Sequence, residues 1–361
     1  MLTKKKFFFI SISLFILGIG LKRVKKKKSY HSLKTYYALP QSQWPTPIID
    51  QGIPWKEITS LPKVKNKLDS NEIALGKKLF FDKRLSKSNT VSCASCHNPK
   101  LSWQDGIEKS PGHDSLLGNR NTQSILNSVH FNTFFWDGRA KTLEEQVKGP
   151  LTNSKEMNNT IDDLLIKINH IKEYQFAFKN VYGVSKVTPI NLYKAIATFE
   201  KTITHNHTKF DSFIAGDTTA MNNKEIRGMH LFRTKGRCMN CHYGSLFSDQ
   251  QFHNLGLVYY KREYEDLGRY HITKKAKDMG KFRTPTLRNV MNTSPWMHNG
   301  FVWEMEGVLS MYNAGMVQLA PTKGEKKDTL FPYTSKLLKP LQLTTIEQEE
   351  IIAFLNSLSS F

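Results

Sequence analysis

Every cysteine of this 361-residue chain belongs to one of two copies of a five-residue pattern. "SCASCHNPK" holds Cys93, Cys96 and His97, and "RCMNCHYG" holds Cys238, Cys241 and His242. C-x-x-C alone is ambiguous, since half a zinc site, a redox disulfide and a structural bridge all use it. The histidine directly after each pair separates these readings. A zinc site has no need of a histidine at that position twice, and a thioredoxin-like site calls for a βαβ context that the sequence lacks. C-x-x-C-H is the attachment motif of c-type haem, in which two thioethers hold the porphyrin and the adjacent imidazole binds iron. The chain is therefore expected to fold around two covalently bound haems.

The motifs close a weak internal repeat. "EIALGKKLFFDKRLSKSNTVSCASCH" and "EIRGMHLFRTKGRCMNCH" share E-I, then G-x-x-L-F, then a polar loop, then the cysteines. Apolar residues before each loop sit at helical spacing, as they do in "TIDDLLIKINHI" and "LYKAIATFEKTI". "LTTIEQEEIIAFLNSL" predicts a last helix with Thr345 as N-cap and Gln348 at the capping-box distance. Alternating β-patterned runs are scarce. The expectation is a mainly α chain of two helical domains, 29–210 and 211–361, a division the length permits. Residues 29–70, polar and proline-dotted, form an extended strap grouped with the first domain.

Residues 1–28 combine a basic head with an apolar run from Phe7 to Leu21. The run is shorter than the ~20 residues that span a bilayer comfortably, but suits the apolar region of an export signal. No clear small-x-small cleavage site follows, so a cleaved signal and an uncleaved inner-membrane anchor both remain open. Either places the protein in the periplasm, where covalent haem attachment belongs. The net charge of +21 falls to +12 once these 28 residues, with nine Lys/Arg and no acid, are set aside. The remaining excess reads first as a solvated basic surface and otherwise as one that suits an acidic partner or a membrane surface. With no stripe of arginines interleaved with aromatics, nucleic acid is not an expected partner.

Residues 118–158, "GNRNTQSILNSVHFNTFFWDGRAKTLEEQVKGPLTNSKEMN", resemble the signature of bacterial dihaem cytochrome c peroxidases, whose relatives include the methylamine-utilisation dihaem enzymes. The resemblance extends over roughly residues 55–358, with W-D-G-R-A, L-x-x-Q, G-P and E-M at family spacing. It implies two cytochrome c-like domains, each with one haem c, and peroxide reduction at the N-terminal one. His97 then becomes the proximal ligand there, and His113 a distal ligand that caps the resting iron. Gln146 and Glu156 match the distal-pocket pair, and Trp136 the tryptophan between the haems. Cleavage of peroxide needs a proton moved from the inner to the outer oxygen, which a carboxylate can relay while an amide orients the substrate. Asn121, Thr293 and Pro295 match a calcium site at the domain junction, where oxygen donors suit a hard cation.

At the second haem, His242 is the implied proximal ligand, and ungapped registration puts Tyr312 at the distal position. Met311 and Met316 are the alternatives, Met316 if a helix continues through Gly315. A thioether raises the haem potential, whereas a phenolate favours ferric iron and lowers it. Arg283 and Arg288 pair with haem propionates or with protein acids. The expected activity is reduction of hydrogen peroxide with electrons from a small cytochrome c or cupredoxin. The alternatives are a methylamine-utilisation-like oxidase acting on a protein or organic substrate, and a non-enzymatic dihaem electron carrier. The resemblance also leans towards a homodimer.

Overall fold

The computed structural model describes residues 33–64, 67–205 and 207–359. The export or anchor segment, 1–28, lies outside the described residues. The described residues up to Pro45 form a small unit in which the Tyr37 ring meets Trp44 edge-on at 5.0 Å and the Trp44 indole donates to the Leu39 carbonyl (2.8 Å). From Thr46 onward the chain forms one compact unit, mainly helical. Its strands, among the described residues, are the antiparallel pair Phe252–His253 and Phe282–Arg283. No described helix is long and apolar enough to cross a membrane.

The internal repeat becomes two similar helix crossings. Helix α1 (Ser70–Phe81) starts at Asp69, whose carboxylate accepts from the amides of Asn71 and Glu72 at 2.8 Å. After α2 (Leu143–Thr152), α3 (Ile161–His170) and α4 (Lys172–Tyr182), helix α5 (Pro189–Glu200) returns to cross α1. Gly76 lies at the crossing, because a Cβ there would collide with the Ala195 carbonyl. In the second half, α6 (Asn223–Arg233) opens with a capping box between Asn222 and Glu225. Helix α7 (Met305–Asn313) precedes α8 (Thr345–Ser357), which crosses α6 where a Cβ on Gly228 would collide with the Glu350 carbonyl. The glycine of G-x-x-L-F is thus the point of closest helix approach in both copies. Its Leu79 and Phe80 are fully buried in the first half, each contributing roughly 1.5–3 kcal/mol of apolar burial.

The last helix starts one residue before the expected position. Thr344, not Thr345, caps it, and Glu347 rather than Gln348 closes the box, donating its amide to Thr344 Oγ1 (3.2 Å) and accepting the Thr344 amide (2.8 Å). A carboxylate answers the positive end of the helix better than an amide does, which favours this register.

The strap is extended only from Thr46 onward, residues 33–37 being helical, and the partners of that extended part lie in the second half of the chain. The Ile48 amide donates to the Arg233 carbonyl (2.9 Å) and the Asp50 amide to Asn240 Oδ1 (2.8 Å). Arg237 pairs with Asp50 at 2.6 Å, Arg233 Nε donates to Glu57 at 3.1 Å, and Arg288 Nη2 reaches the Thr59 carbonyl at 2.8 Å. Where the first half meets the second, Arg120 bridges Asp137 (2.6 Å) and Asp266 (2.6 Å).

Candidate functional site

Each cysteine pair sits on one turn of helix that delivers the following histidine to a cavity. The first turn, Cys93–Cys96, is held by the Ser92 amide donating to Ser95 Oγ (3.0 Å), and the His97 amide donates to the Cys93 carbonyl (2.9 Å). His97 Nδ1 lies 3.2 Å from the Trp103 carbonyl. His242 Nδ1 lies 2.9 Å from the Phe247 carbonyl. Both carbonyls belong to aromatic residues in left-handed backbone, φ 62° at Trp103 and 52° at Phe247. That conformation is uncommon for bulky side chains, and here it accompanies the same contact twice. With Nδ1 protonated and donating, Nε2 is the free lone pair, the tautomer an iron ligand needs. Burial lowers the pKa of both imidazoles, which keeps them neutral.

Aromatic side chains back each motif. Phe80 meets Trp103 edge-on at 6.0 Å and Phe199 at 5.2 Å, and tilts towards His97 at 6.5 Å. Beneath the second motif, Phe210, Phe232, Phe247 and Phe354 are fully buried, with Phe210–Phe247 at 5.1 Å and Phe232–Phe354 at 5.2 Å. No disulfide joins the four cysteines. Burial pushes Cys93 up strongly, Cys96 to about 11 and Cys238 to about 12. These protonated thiols are poor candidates for thiolate redox chemistry.

The two cavities differ in character. The first, about 1020 Å³, is lined by Cys93, Cys96 and His97 and by the polar groups of Gln146, Glu156 and Arg139. Glu156 Oε1 accepts from Asn153 Nδ2 at 2.6 Å. Burial raises its carboxyl pKa, against the opposing pull of Asn153 and Arg139. The second, about 240 Å³, is lined by Cys238, Cys241 and His242 and by largely apolar residues, including Met305, Val308 and Leu309. Tyr312 lines it too, with burial driving its phenol pKa upward. Neither Met311 nor Met316 lines either cavity. Helix α7 stops at Asn313 and Gly315 is left-handed (φ 86°), so the helical continuation that would have presented Met316 does not form.

Trp136 lines both cavities, its indole donating to the Asn121 carbonyl (2.9 Å) and its own carbonyl accepting the Arg283 amide (2.8 Å). Asn121, Thr293 and Pro295 all line the second cavity. The Asn121 side-chain nitrogen donates to the carbonyls of Ile107 (3.0 Å) and Glu108 (3.4 Å), leaving Oδ1 as that side chain's acceptor. His113 does not line the first cavity, although Gly112 does. Its Nε2 faces Asp114 at 3.2 Å, and its buried Nδ1 has no hydrogen-bond partner.

The two arginines resolve differently. Arg288 is satisfied by protein, pairing with Asp211 at 2.9 Å and donating to the Ser245 and Thr59 carbonyls. Arg283 is 3% exposed and lines both cavities, yet its Nε and Nη1 have no partner. Burial drops its pKa to about 10. A buried guanidinium facing open space needs an anion, and a porphyrin carboxylate is one. With two cysteine pairs and two neutral, oriented imidazoles, this donor set fits two covalently bound haems.

The comparisons agree with this geometry. A family model described as di-haem cytochrome c peroxidase matches residues 70–219. Cytochrome-c peroxidase IdrP1 of Pseudomonas sp. (strain SCT) is 36% identical over 340 residues, 86% of each chain. The chain belongs to the di-haem cytochrome c peroxidase family. Another member, methylamine utilization protein MauG of Methylorubrum extorquens, is 35% identical over 303 residues, 83% of this chain and 82% of the relative. Among solved structures, a MauG-like protein associated with microbial copper homeostasis superposes with a TM-score of 0.71 at 28% identity, covering 86% of this chain and 95% of the other. As a di-haem cytochrome, a family member carries two haem c groups, the cofactors the donor sets fit.

Sequence reasoning missed several residues at the site. Glu200 lines the first cavity, and His298, 5% exposed and stacked on Phe282 at 3.7 Å, lines both. His253 lines the second and pairs with Asp249 at 2.8 Å beside Cys241. Burial opposes its charge, while the hydrogen bond and charge of Asp249 pull its pKa upward. None of these lies in a recognisable spacing pattern; only their place in the fold reveals them.

Proposed function

We propose that the protein reduces hydrogen peroxide to water at the first cavity, with electrons from a small cytochrome c or cupredoxin entering through the second haem. The observation that carries this reading is the convergence of Gln146 and Glu156 with Cys93, Cys96 and His97 in one polar cavity. Bound haem supplies the redox chemistry of O–O cleavage. The protein's task is to move protons and orient the substrate. Glu156, held by Asn153 and raised in pKa by burial, accepts a proton from the inner oxygen and returns it to the outer one. Gln146 offers an amide donor and acceptor to orient the peroxide. Trp136, lining both cavities, is the packed aromatic link between them. His113 would serve to cap the resting site if its ring turned from Asp114, and Tyr312 would serve as a ligand to the second haem. A calcium ion held by Asn121, Thr293 and Pro295 ties the junction. Export to the periplasm through the N-terminal segment, cleaved or retained as an anchor, and a homodimeric state complete the proposal.

The test is steady-state peroxide turnover by the haem-loaded protein with a reduced small cytochrome. Glu156→Gln is expected to lower turnover ~10²–10⁴-fold while leaving the haem absorption bands in place. Undiminished turnover in this variant would refute the assignment.

The presence of Tyr312, and not a methionine, in the second cavity favours a second reading. A phenolate ligand lowers the potential of that haem and suits oxidation of a protein or organic substrate, as in a methylamine-utilisation-like enzyme. Absence of donor turnover together with peroxide-driven oxidation of an added substrate would select it.

A further inference from the structure

Glu200, the last residue of α5, is 4% exposed and lines the first cavity with Cys93, Gln146 and Glu156. Its Oε2 is buried and has no hydrogen-bond partner. A buried carboxylate oxygen left unpaired is costly, and proteins normally avoid it. The surrounding charges do not compensate. From α2, Glu144 repels it; Lys201, the next residue, attracts it but directs its ammonium to Glu144 Oε1 at 2.7 Å. From the first motif, the Cys93 thiol faces it. On α1, Lys78 is turned to Glu173. Burial, reinforced by Glu144 and opposed by Lys201, raises the carboxyl pKa to about 8, close enough to neutral pH for a change of one charge in the cavity to decide whether the group is ionised.

We propose that Glu200 is a redox-linked proton store for the first haem, taking up one proton when the iron gains an electron and releasing it when the electron leaves. This rests on the reading of the first cavity as a haem site. The balance is one electron from the donor protein, reducing Fe(III) to Fe(II), with one proton from solvent converting the Glu200 carboxylate to the acid. Reduction removes a positive charge from the cavity, and a carboxylate in low dielectric responds by binding its proton more tightly. Peroxide reduction to two waters consumes two electrons and two protons. Glu200 places one of those protons inside the cavity with the electron. Glu156 moves a proton between the two oxygens, whereas Glu200 holds one in reserve.

The test is a spectroelectrochemical titration of the first haem in the full-length, haem-loaded protein between pH 6 and 10. The potential is expected to fall with rising pH, by at most ~59 mV per tenfold change in proton activity. It flattens once the pH exceeds the carboxyl pKa of the reduced state, where the carboxylate is ionised in both redox states. Glu200→Gln should abolish the slope, Glu200→Asp should keep it, and Glu156→Gln should keep it as well. A slope retained in Glu200→Gln, or lost in Glu156→Gln, overturns the proposal. Should Glu200→Gln fail to fold, the redox-difference infrared spectrum of the wild type decides. A protonated-carboxyl band gained on reduction supports the store, and its absence overturns it. A pH-independent potential with both haems present defeats the proton role alone, whereas a missing first haem defeats the reading beneath it.

Discussion

Replacing Arg283 with glutamine measures whether the cavities hold the anion their lining calls for. The guanidinium is 3% exposed, its contacts being Gln123 Oε1 at 3.5 Å and the face of Phe131 at 4.8 Å. Its pKa falls from 12.5 to about 10, which at 1.36 kcal/mol per pKa unit amounts to about 3 kcal/mol of unrelieved desolvation. Without an anion, removing this charge would relieve that penalty and stabilise the protein. With a porphyrin carboxylate as partner, removing it strands a buried anion, at a cost of about 3–5 kcal/mol. Arg283→Gln in the haem-loaded protein is therefore expected to lower the unfolding midpoint by roughly 5–10 °C. The assay is thermal unfolding followed by far-ultraviolet circular dichroism, with the haem bands checked before heating. Arg288→Gln serves as the control in mechanism, since it breaks a protein–protein pair with Asp211 and should destabilise whatever fills the cavities. A raised midpoint for Arg283→Gln would show that no anion meets the guanidinium and would refute the cavity assignment.

Gly228→Ala should destabilise the protein by about 1–3 kcal/mol in chemical denaturation despite alanine's better helix propensity, because its methyl meets the Glu350 carbonyl. A neutral or stabilising result would contradict the close crossing of α6 and α8. At the junction, burial favours the neutral form of Asp266 but Arg120 outweighs it and holds the carboxyl below its ordinary range. Its contribution is therefore present above about pH 4 and lost as pH falls through the lower folded value. Equilibrium denaturation should show Arg120→Ala destabilising at pH 6 and nearly neutral at pH 2; equal effects at both would refute the pairing. Tyr312→Phe should change the spectrum and potential of the second haem, while Met311→Leu and Met316→Leu should leave both unchanged. Electron paramagnetic resonance of the three variants checks this.

The sequence made the fold legible wherever chemistry imposed spacing. The C-x-x-C-H pairs located both sites, and G-x-x-L-F located both helix crossings, because a close approach admits glycine and little else. What stayed hidden depended on tertiary neighbours. Arg283 and Arg288 read alike in "GKFRTPTLRNV", and only the presence of Asp211 beside one of them separates their roles. Glu200 looks like one more helix-end acid in "LYKAIATFEKTI" until burial and the cavity are seen. The strap's partners could not be read from its proline-dotted composition. The one-residue error at Thr344 arose because two adjacent threonines offer the same cap, and only the carboxylate at Glu347 chooses between them.

The strap also sets an order of events in maturation. Its Asp50 amide and Ile48 carbonyl grip Asn240, the residue directly preceding Cys241, across a sequence separation of about 190 residues. A chain made from its N-terminus exposes this segment long before its anchor exists, so the latch can only fasten late. Until it does, nothing from the strap restrains the turn that carries Cys238 and Cys241.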